Sequence, residues 1–453
     1  MRFVDREKEQ ERLRRQIGRK EPSLIVVYGR RRLGKSTLLR HVLGERDIYF
    51  MADMTEEQLQ RDKLAASVAS VVPNFNRVLY PDWESLFLQF NAMQRDRFVL
   101  CLDEFPNMVR SCPSLPSVLQ RLRDGKVLTY SIVLCGSSQQ MMQGLVLDGS
   151  APLYGRADMI MKLEPIGVRY LREVLGSDAV AAIEEYSVWG GVPRYWELRE
   201  QEEDMWSAVS ESLFDVNGTL YDEPSRLFLD DMKQTAQSAS LLTLVGNGVN
   251  RVSEMAARLQ KKATDISGPL AKLVSLGYME REVPFGESPK NSKRSIYKLC
   301  DPFMRFYYRY VVPNQSLIGI GRKQVLLQLA RQNFAGFVAE EWERRCRIAV
   351  SGSMLMGIQW GMASRWWGTT DKGRQVEIDV VAESMDGEVI LIGECKWTER
   401  ESAKVLTEDL RSRAEGLPFV KGRRVEYALF LKMRPDDAEE MNVFTPEEII
   451  EEF

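Results

Sequence analysis

The segment SLIVVYGRRRLGKSTLLRHVL, residues 23 to 43, constrains the fold of this 453-residue chain more than any other segment. It reads as a short β-branched strand, a turn rich in glycine and then a helix. The turn has the spacing Gly29-x4-Gly34-Lys35-Ser36, which is the complete phosphate-loop pattern in its strand-to-helix context. The glycines let backbone N–H groups surround phosphates at the helix N-terminus. The segment therefore predicts an α/β fold that begins with a phosphate-binding loop.

The residues of this turn have separate predicted roles towards ATP. Lys35 reaches the β- and γ-phosphates and takes part in catalysis, and the Ser36 hydroxyl contributes to the shell of a Mg²⁺ ion. The predicted nucleotide contacts are Gly29, Arg30, Arg31, Arg32, Leu33, Gly34, Lys35, Ser36 and Thr37. The alternative is a chance glycine-rich turn, which the presence of strand, spacing, lysine and serine together disfavours.

A second apolar strand supplies the carboxylates that such a site needs. RFVLCLDEF ends in Asp103, a predicted ligand of the Mg²⁺ shell, and Glu104, predicted to polarise the attacking water. The alternative is an ordinary pair of acids at a strand end. A third strand, SIVLCGSS, leads to Ser137, which we expect either to sense the γ-phosphate or simply to begin a loop.

Taken together, these motifs resemble the archaeal-type branch of AAA-like and STAND-like ATPases. FVDREKEQERL is similar to the opening box of that family, and WGGVPRYWE, residues 189 to 197, is similar to its Gly-Gly-x-Pro lid motif. APLYGRAD carries Arg156 where relatives have an arginine after the sensor strand. The resemblance implies a P-loop NTPase core at residues 1–165, a helical lid at 166–235 and a catalytic role for Arg156, in its own subunit or in a neighbour's.

The next segment, residues 236–312, resembles a winged helix-turn-helix. Two helical patterns precede YMEREVPFG…SIYKL, which reads as a hairpin with a polar tip. Residues 251 to 300 hold ten Lys or Arg against five Asp or Glu, a local charge of +5 in a chain of net charge −3. The predicted DNA contacts are Lys272, Lys290, Lys293 and Arg294. A packing module beside the lid is an equal alternative.

After a connection at 313–325, the segment RQVEIDVVAESMDGEVILIGECKW predicts two strands joined by an Asp-Gly turn. Alternation places Val376, Ile378 and Val380 on one face and Asp379 on the other. On the second strand, Glu394 and Lys396 share a face and a hairpin brings Asp379 close to them. Two carboxylates there can bind Mg²⁺, or Mn²⁺ as an alternative, and a lysine can stabilise developing phosphodiester charge.

The order Asp…Glu-x-Lys after an acidic helix resembles the PD-(D/E)xK restriction-endonuclease-like superfamily, here at residues 326–453. The resemblance implies that Asp379 and Glu394 are metal ligands and that Lys396 is catalytic. FAGFVAE matches the family's helix motif, so Glu340 corresponds to the helix glutamate, with Glu343 one turn away as its rival. A surface ion pair between Glu394 and Lys396 is the plain alternative.

Composition narrows the chemistry further. The chain has one histidine and its six cysteines form no CxxC pair, which disfavours histidine-based catalysis and structural zinc. With no long apolar run and no signal-peptide pattern, we expect a cytoplasmic protein without membrane contact. The leading hypothesis is an ATP-hydrolysing protein that acts on DNA and carries a metal-dependent nuclease-like domain. The alternative is an ATP-switched regulator or scaffold, with a homo-oligomer or protein partner, whose nuclease-like domain only binds.

Overall fold

The computed structural model describes residues 4–93, 97–231, 235–439 and 441–451. The predicted domain limits at residues 1 and 453 lie outside the described residues. The N-terminal unit consists of α1 (Glu7–Ile17), β1 (Leu24–Tyr28), α2 (Lys35–Val42), β2 (Ile48–Met51), α3 (Glu57–Val68), α4 (Trp83–Met93), β3 (Val99–Asp103), α5 (Phe105–Ser111), α6 (Leu115–Asp124), β4 (Ser131–Gly136), α7 (Gln139–Val146) and β5 (Met159–Lys162).

These five strands form one parallel sheet in the order β2-β3-β4-β1-β5. Every residue of β1 is buried, because helices cover both faces of the sheet. Ile25 and Val27 point into one apolar core, and Leu24 and Val26 point into another on the opposite face. The continuous apolar run LIVVY is what a strand buried on both faces requires.

A helical lid follows the sheet. It consists of α8 (Val168–Leu175), α9 (Ala179–Trp189), α10 (Pro193–Arg199), α11 (Met205–Ser212) and α12 (Glu223–Asp231). The Gly-Gly pair stands between α9 and α10. A Cβ atom at Gly191 would lie 2.2 Å from the carbonyl oxygen of Ile166, so only glycine lets the lid approach the segment after β5 this closely.

The middle unit has three helices and an antiparallel hairpin. Its elements are α13 (Thr235–Gly246), α14 (Val252–Arg258), α15 (Ala263–Ser275), β6 (Met279–Glu282) and β7 (Ile296–Leu299). The expected linker at 313–325 is helical instead, because its apolar side chains Ile318 and, further on, Leu326 are buried. The connecting helices are α16 (Pro302–Phe306), a π-helical turn (Tyr307–Val311), a 3₁₀ turn (Val312–Asn314), α17 (Gln315–Gly319) and α18 (Lys323–Gln332).

The C-terminal unit is a mixed five-stranded sheet with helices on both faces. Its elements are α19 (Phe334–Val350), β8 (Met354–Leu355), β9 (Ile358–Gln359), β10 (Ser364–Thr369), β11 (Gln375–Glu383), β12 (Val389–Lys396), α20 (Ala403–Ala414), β13 (Arg424–Leu431), β14 (Val443–Phe444) and α21 (Pro446–Glu451). The sheet order is β10-β11-β12-β13-β14, antiparallel up to β12 and parallel from there on.

The C-terminal unit shares its core with the lid. One apolar cluster runs from Leu13 in α1 to Ile450 in α21, and α9 of the lid packs against both α19 and α21. Across this contact, Nε1 of Trp397 donates to Glu184 at 3.3 Å. The sequence predicts a separate domain at residues 326–453. The shared core means that this segment would expose buried apolar surface if it were cut away from the lid.

Candidate nucleotide site and C-terminal carboxylate cluster

The phosphate loop joins β1 to α2 and has three residues with left-handed backbone conformation. They are Gly29 (φ 154°), Arg32 (φ 69°) and Gly34 (φ 85°). A Cβ atom at Gly29 would lie 2.6 Å from the carbonyl oxygen of Leu163, so the first glycine of the pattern is required by close packing. Gly34, the second glycine of the pattern, immediately precedes α2 and permits the turn into the helix.

Lys35 is the first residue of α2 and is buried. Its Nζ donates to the carbonyl oxygens of Gly29 at 2.8 Å and Arg30 at 3.0 Å. The ammonium group is therefore held within the loop, and its contact with the β- and γ-phosphates stays a prediction. Leu33 is buried, whereas Thr37, in the first turn of α2, is exposed.

Ser36 and Asp103 come together at the carboxyl ends of β1 and β3. The Ser36 Oγ donates to the Asp103 Oδ2 at 2.6 Å, and the Tyr49 hydroxyl donates to the same oxygen. Burial raises the pKa of Asp103, but hydrogen bonds from Cys135, Ser36 and Tyr49 outweigh burial and hold that pKa below its usual value. The hydroxyl and carboxylate oxygens are hard donors that fit a Mg²⁺ ion.

Glu104 follows directly, with φ 52° at the N-terminus of α5. Its Oε1 accepts a hydrogen bond from the Ser137 Oγ at 2.7 Å, and Ser137 follows β4, the neighbour of β3 in the sheet. Ser137 thus holds the carboxylate of Glu104 at the same sheet edge as the phosphate loop. The role predicted for Glu104 needs this position, since a general base must reach the water that it activates.

Two of the three loop arginines pair with carboxylates outside the phosphate loop. Arg30 forms a buried ion pair with Asp301, and its second nitrogen lies 3.4 Å from the Tyr195 hydroxyl. Arg32 NH1 lies 2.9 Å from Oε2 of Glu223, in the lid. Buried carboxylates neutralise these two side chains, so the nucleotide contacts predicted for Arg30 and Arg32 stay a prediction that concerns their backbone N–H groups. Their backbone N–H groups remain part of the loop.

In the C-terminal unit, Asp379 and Glu394 are brought together by an irregularity in β11. Ser364 pairs with Val381, but Trp366 pairs with Ile378, so β11 has one extra residue at this point. Val376 and Ile378 therefore face the core under α20, while Val380 faces the core under α19. The predicted uniform alternation is wrong here. The bulge turns Asp379 towards the end of β12, where its Oδ2 accepts from the backbone N–H of Cys395 at 2.9 Å.

Glu394 is buried between two cations. Its Oε1 lies 2.8 Å from Lys396 Nζ, and its Oε2 lies 2.7 Å from an Arg413 nitrogen on α20. Arg413 also donates to the Glu377 carbonyl oxygen at 3.0 Å, which fixes its guanidinium group. Arg413 was not predicted, because an arginine nineteen residues after Glu394 carries no local signal of this contact.

The helix glutamate beside Asp379 is Glu343. Burial, followed by the carboxylates of Glu343 and Glu394, raises the pKa of Asp379 to about 7. Glu340 instead lies 3.3 Å from Lys298 and 4.0 Å from Arg305, on the side of α19 that faces the middle unit. Assigning Glu340 to this cluster was wrong, because one helical turn separates the two acids and only Glu343 faces β11.

A divalent ion does not fit the cluster as it is arranged. Both oxygens of Glu394 already contact cations, and within the described residues no three Asp, Glu, His or Cys side chains are grouped in a way that could hold a metal ion. The predicted Mg²⁺ or Mn²⁺ site at Asp379 and Glu394 would first require Arg413 or Lys396 to move. The arrangement is an ion-pair network that contains one carboxyl group with a raised pKa.

Comparison with known proteins concerns the N-terminal unit first. Residues 3–196 match a family described as an ATPase domain predominantly from Archaea. The Walker-type ATPase of Pyrococcus abyssi has a similar fold, with a TM-score of 0.52 and 18% identity over 68% of this chain and 96% of that one. The N-terminal unit is an archaeal-type P-loop ATPase domain. This confirms the prediction made from the phosphate loop.

Other similarities extend further along the chain. An uncharacterized protein of Methanocaldococcus jannaschii is 29% identical over 400 residues, which cover 87% of each chain. The ORC2 protein of Aeropyrum pernix, in ADPNP-ADP complexes, aligns over 73% of this chain and 96% of its own with a TM-score of 0.46 and 14% identity. Residues 307–407 match a family of archaeal and bacterial proteins of unknown function. That match begins before the predicted C-terminal domain and assigns it no activity.

Arg156 lies far from the phosphate loop of its own ATPase domain. Its guanidinium contacts Asp124 at 2.8 and 2.9 Å, at the end of α6. It precedes β5, whose first residue Met159 pairs with Ile25 near the start of β1, whereas the phosphate loop follows the end of β1. This position does not favour a role within its own subunit, and the catalytic role of Arg156 stays a prediction.

The hairpin of the middle unit packs on the C-terminal sheet. The Phe285 N–H donates to the Arg365 carbonyl oxygen at 2.9 Å, and Arg294 NH1 donates to the Trp367 carbonyl oxygen at 3.0 Å. A Cβ atom at Gly368 would lie 2.1 Å from Arg294 NH1, so this glycine makes room for the contact. Arg294 is thus engaged in packing, while Lys290 and Lys293 at the tip are exposed.

No helix in the described part of the chain has the length and apolar character that crossing a bilayer requires.

Proposed function

We propose that this protein binds and hydrolyses ATP with Mg²⁺ and that its nucleotide state sets the conformation of the C-terminal unit. The contact between Ser36 and Asp103 supports the proposal of Mg²⁺-dependent ATP hydrolysis, because it joins the hydroxyl and carboxylate that hold Mg²⁺ in P-loop ATPases. Lys35 would neutralise the β- and γ-phosphates, and Glu104 would take a proton from the attacking water. The bound ion would supply charge neutralisation at the phosphates.

A continuous series of buried contacts supports the proposal that the nucleotide state sets the conformation of the C-terminal unit. Arg30 of the phosphate loop pairs with Asp301, which caps α16 by accepting the Met304 N–H at 3.0 Å. One turn later in α16, Arg305 lies 3.1 Å from Glu341 of α19, whose side chain is fully buried. Ion pairs of this kind have few alternative partners, so movement of the loop would be passed on to α19.

The same helix reaches the carboxylate cluster. Arg347 of α19 donates to the Asp379 carbonyl oxygen at 3.1 Å and lies 3.6 Å from Glu343. A rotation or shift of α19 would therefore change the surroundings of Asp379 directly. These contacts favour a regulator that ATP switches. In a simple scaffold, the phosphate loop would not influence the C-terminal unit.

Metal-dependent phosphodiester cleavage is the second candidate function. It is favoured by the position of Lys396 beside Glu394 and by the placement of Asp379 opposite Glu394 across β11 and β12. The two cations on Glu394 argue against it in the described arrangement. DNA is the proposed polymer partner, through the exposed Lys290 and Lys293, although the docked hairpin equally supports a packing role for the middle unit.

One experiment separates these functions. The purified full-length chain is incubated with Mg²⁺-ATP, with and without labelled DNA or RNA, and both ATP turnover and strand cleavage are measured. The proposal predicts ATP turnover that is lost in Lys35→Ala, and no cleavage in any arm. Absence of ATP binding and turnover would contradict the first function, whereas cleavage that is lost in Lys396→Ala would establish the second.

A further inference from the structure

A cavity of about 520 Å³ lies between the middle unit and the C-terminal unit. Its wall residues all fall between positions 245 and 365, so it is separate from the phosphate loop. They come from α13, β7, the turns after α16, α19 and the start of β10. Its volume lies within the range of about 300–1,000 Å³ that is typical of small-molecule sites.

The wall carries a net positive charge. Four cationic side chains line it, Lys298, Arg305, Arg309 and Arg365, against the two carboxylates of Glu340 and Glu343. Four minus two leaves a charge of +2, in a chain whose net charge is −3. Glu282 behind Lys298 and Glu341 behind Arg305 offset part of this charge. The remaining cationic surface attracts anions, because a low-dielectric wall weakens the screening of its charges.

Glu340 acts as an internal anion within this wall. Its carboxylate lies 3.3 Å from Lys298 and 4.0 Å from Arg305, and 40% of the side chain is exposed. Although burial raises the pKa of Glu340, Arg305 and Lys298 outweigh burial and lower it, so the group is ionised near neutral pH. The two cations therefore already hold one carboxylate at a position that solvent reaches.

The guanidinium groups of Arg305 and Arg365 have further binding capacity. The Nε atom of each is buried and has no hydrogen-bond partner among the described residues. Arg305 as a whole is 7% exposed, and such buried donors are normally satisfied. Arg305 already contacts Glu341 as well as Glu340, so its unpartnered Nε is the donor that remains for a phosphate oxygen.

Aromatic side chains complete the wall. Tyr297, Tyr310 and Phe337 line the same cavity, and Arg305 stacks over the Phe337 ring at 5.2 Å. Flat aromatic surfaces beside cations are the chemistry that binds a nucleobase next to its phosphate. A simple inorganic anion would use only the cationic part of this wall.

We propose that this cavity binds a nucleoside 5′-phosphate, independently of the phosphate loop. The phosphate takes the place near Lys298 and Arg305 that the Glu340 carboxylate now shares, and the base lies against Tyr297, which is half-buried. A free nucleotide and the 5′-phosphorylated end of a nucleic acid present the same group. The proposal does not depend on ATP hydrolysis at the N-terminal site.

The test uses the full-length chain carrying Lys35→Ala, with AMP as the probe. AMP lacks the β- and γ-phosphates that the phosphate loop binds, so its binding reports on the cavity. Calorimetric titration should show one AMP site per chain. Arg309→Glu reverses an exposed cation of the wall and should weaken AMP binding about tenfold or more, as for loss of a charge-assisted contact. Arg12→Glu, an exposed reversal on α1, is the matched control and should change nothing.

Glu340→Gln gives the opposite and more specific result. Removal of the internal anion should strengthen AMP binding by about two- to fivefold, the effect of one partly exposed charge. A 5′-phosphorylated dinucleotide that binds more tightly than AMP would assign the site to nucleic-acid ends, and AMP binding more tightly would assign it to free nucleotides. No AMP binding at millimolar concentration, inorganic phosphate binding as tightly as AMP, or an unchanged affinity in both variants would each overturn the proposal.

Discussion

Arg30 in the phosphate loop and Asp301 at the start of α16 form a buried ion pair, although 271 positions separate them in the sequence. The two side chains are 10% and 6% exposed. A buried pair of this kind strongly resists the loss of one partner, because the remaining charge is left without compensation. The pair therefore ties the position of the phosphate loop to the helix that leads into the C-terminal half of the chain.

The first prediction separates ATP binding from hydrolysis. Glu104→Gln keeps the shape and the hydrogen bond from Ser137 but removes the base, so turnover should fall by about 100-fold or more. ATP affinity should stay within about threefold, because Lys35 and the loop backbone are untouched. Steady-state turnover and equilibrium ATP binding are measured on the same preparation. Turnover at the wild-type rate would rule out Glu104 as the base.

A second prediction concerns Arg156, which pairs with Asp124 at the edge of the sheet opposite the phosphate loop. We expect Arg156→Ala to leave ATP affinity unchanged. If the arginine acts on a neighbouring copy, turnover per chain should rise with protein concentration in the wild type and not in the variant. Turnover that is independent of concentration and equal in the two proteins would remove Arg156 from the catalytic site altogether.

The third prediction follows from the carboxyl group of Asp379, whose pKa is raised from an ordinary 3.8 to about 7. The folded state then holds this proton more tightly than the unfolded state. The stabilising contribution is complete below the unfolded pKa and is lost as the pH rises through the folded pKa. Asp379→Asn, which cannot ionise, should therefore unfold at a higher temperature than the wild type at about pH 8.5, by at least about 2 °C.

At about pH 4.5 the difference between these two proteins should be much smaller than at pH 8.5, and it should vanish only below about pH 3.8, where Asp379 is protonated in the unfolded state as well. Asp386→Asn is a suitable control. Asp386 is exposed, and its pKa is lowered, chiefly by a hydrogen bond from Ser384, so its loss should destabilise the protein slightly at the higher pH. A stability difference for Asp379→Asn that does not change with pH would show that burial of this carboxyl group is not costly.

The phosphate loop could be predicted from the sequence because its determinants are local. Gly29, Gly34 and Lys35 fix a turn and a helix start within eight residues, and the apolar run before them fixes a strand buried on both faces. The position of Asp103 near the phosphate loop could also be predicted, since parallel strands bring their carboxyl ends to one edge of a sheet.

The predictions that the structure does not match concern features that depend on packing between distant segments of the chain. Arg30 belongs to the phosphate-loop pattern, but its partner Asp301 is distant in sequence and is determined by how α16 docks. Strict alternation along β11 also failed, because a bulge is set by the pairing with β10 and leaves no mark in EIDVV. The choice between Glu340 and Glu343 depends on the rotation of α19, which packing against β11 determines.

The most direct test of the account asks whether ATP at the phosphate loop changes the C-terminal cluster through Arg30 and Asp301. Amide hydrogen exchange is measured on the full-length Glu104→Gln protein with and without Mg²⁺-ATP, for peptides that cover α19, β11 and β12. The single variant Asp301→Asn would leave a buried charge, so the informative change is the double variant Arg30→Met with Asp301→Asn. Glu223→Gln, which removes the partner of Arg32 within the lid, is the matched control. The account predicts that ATP alters exchange in these peptides, that the double variant binds ATP but loses the alteration, and that Glu223→Gln retains it. Protection of the phosphate loop by ATP with no change in α19, β11 and β12, or an unchanged response in the double variant, would contradict it.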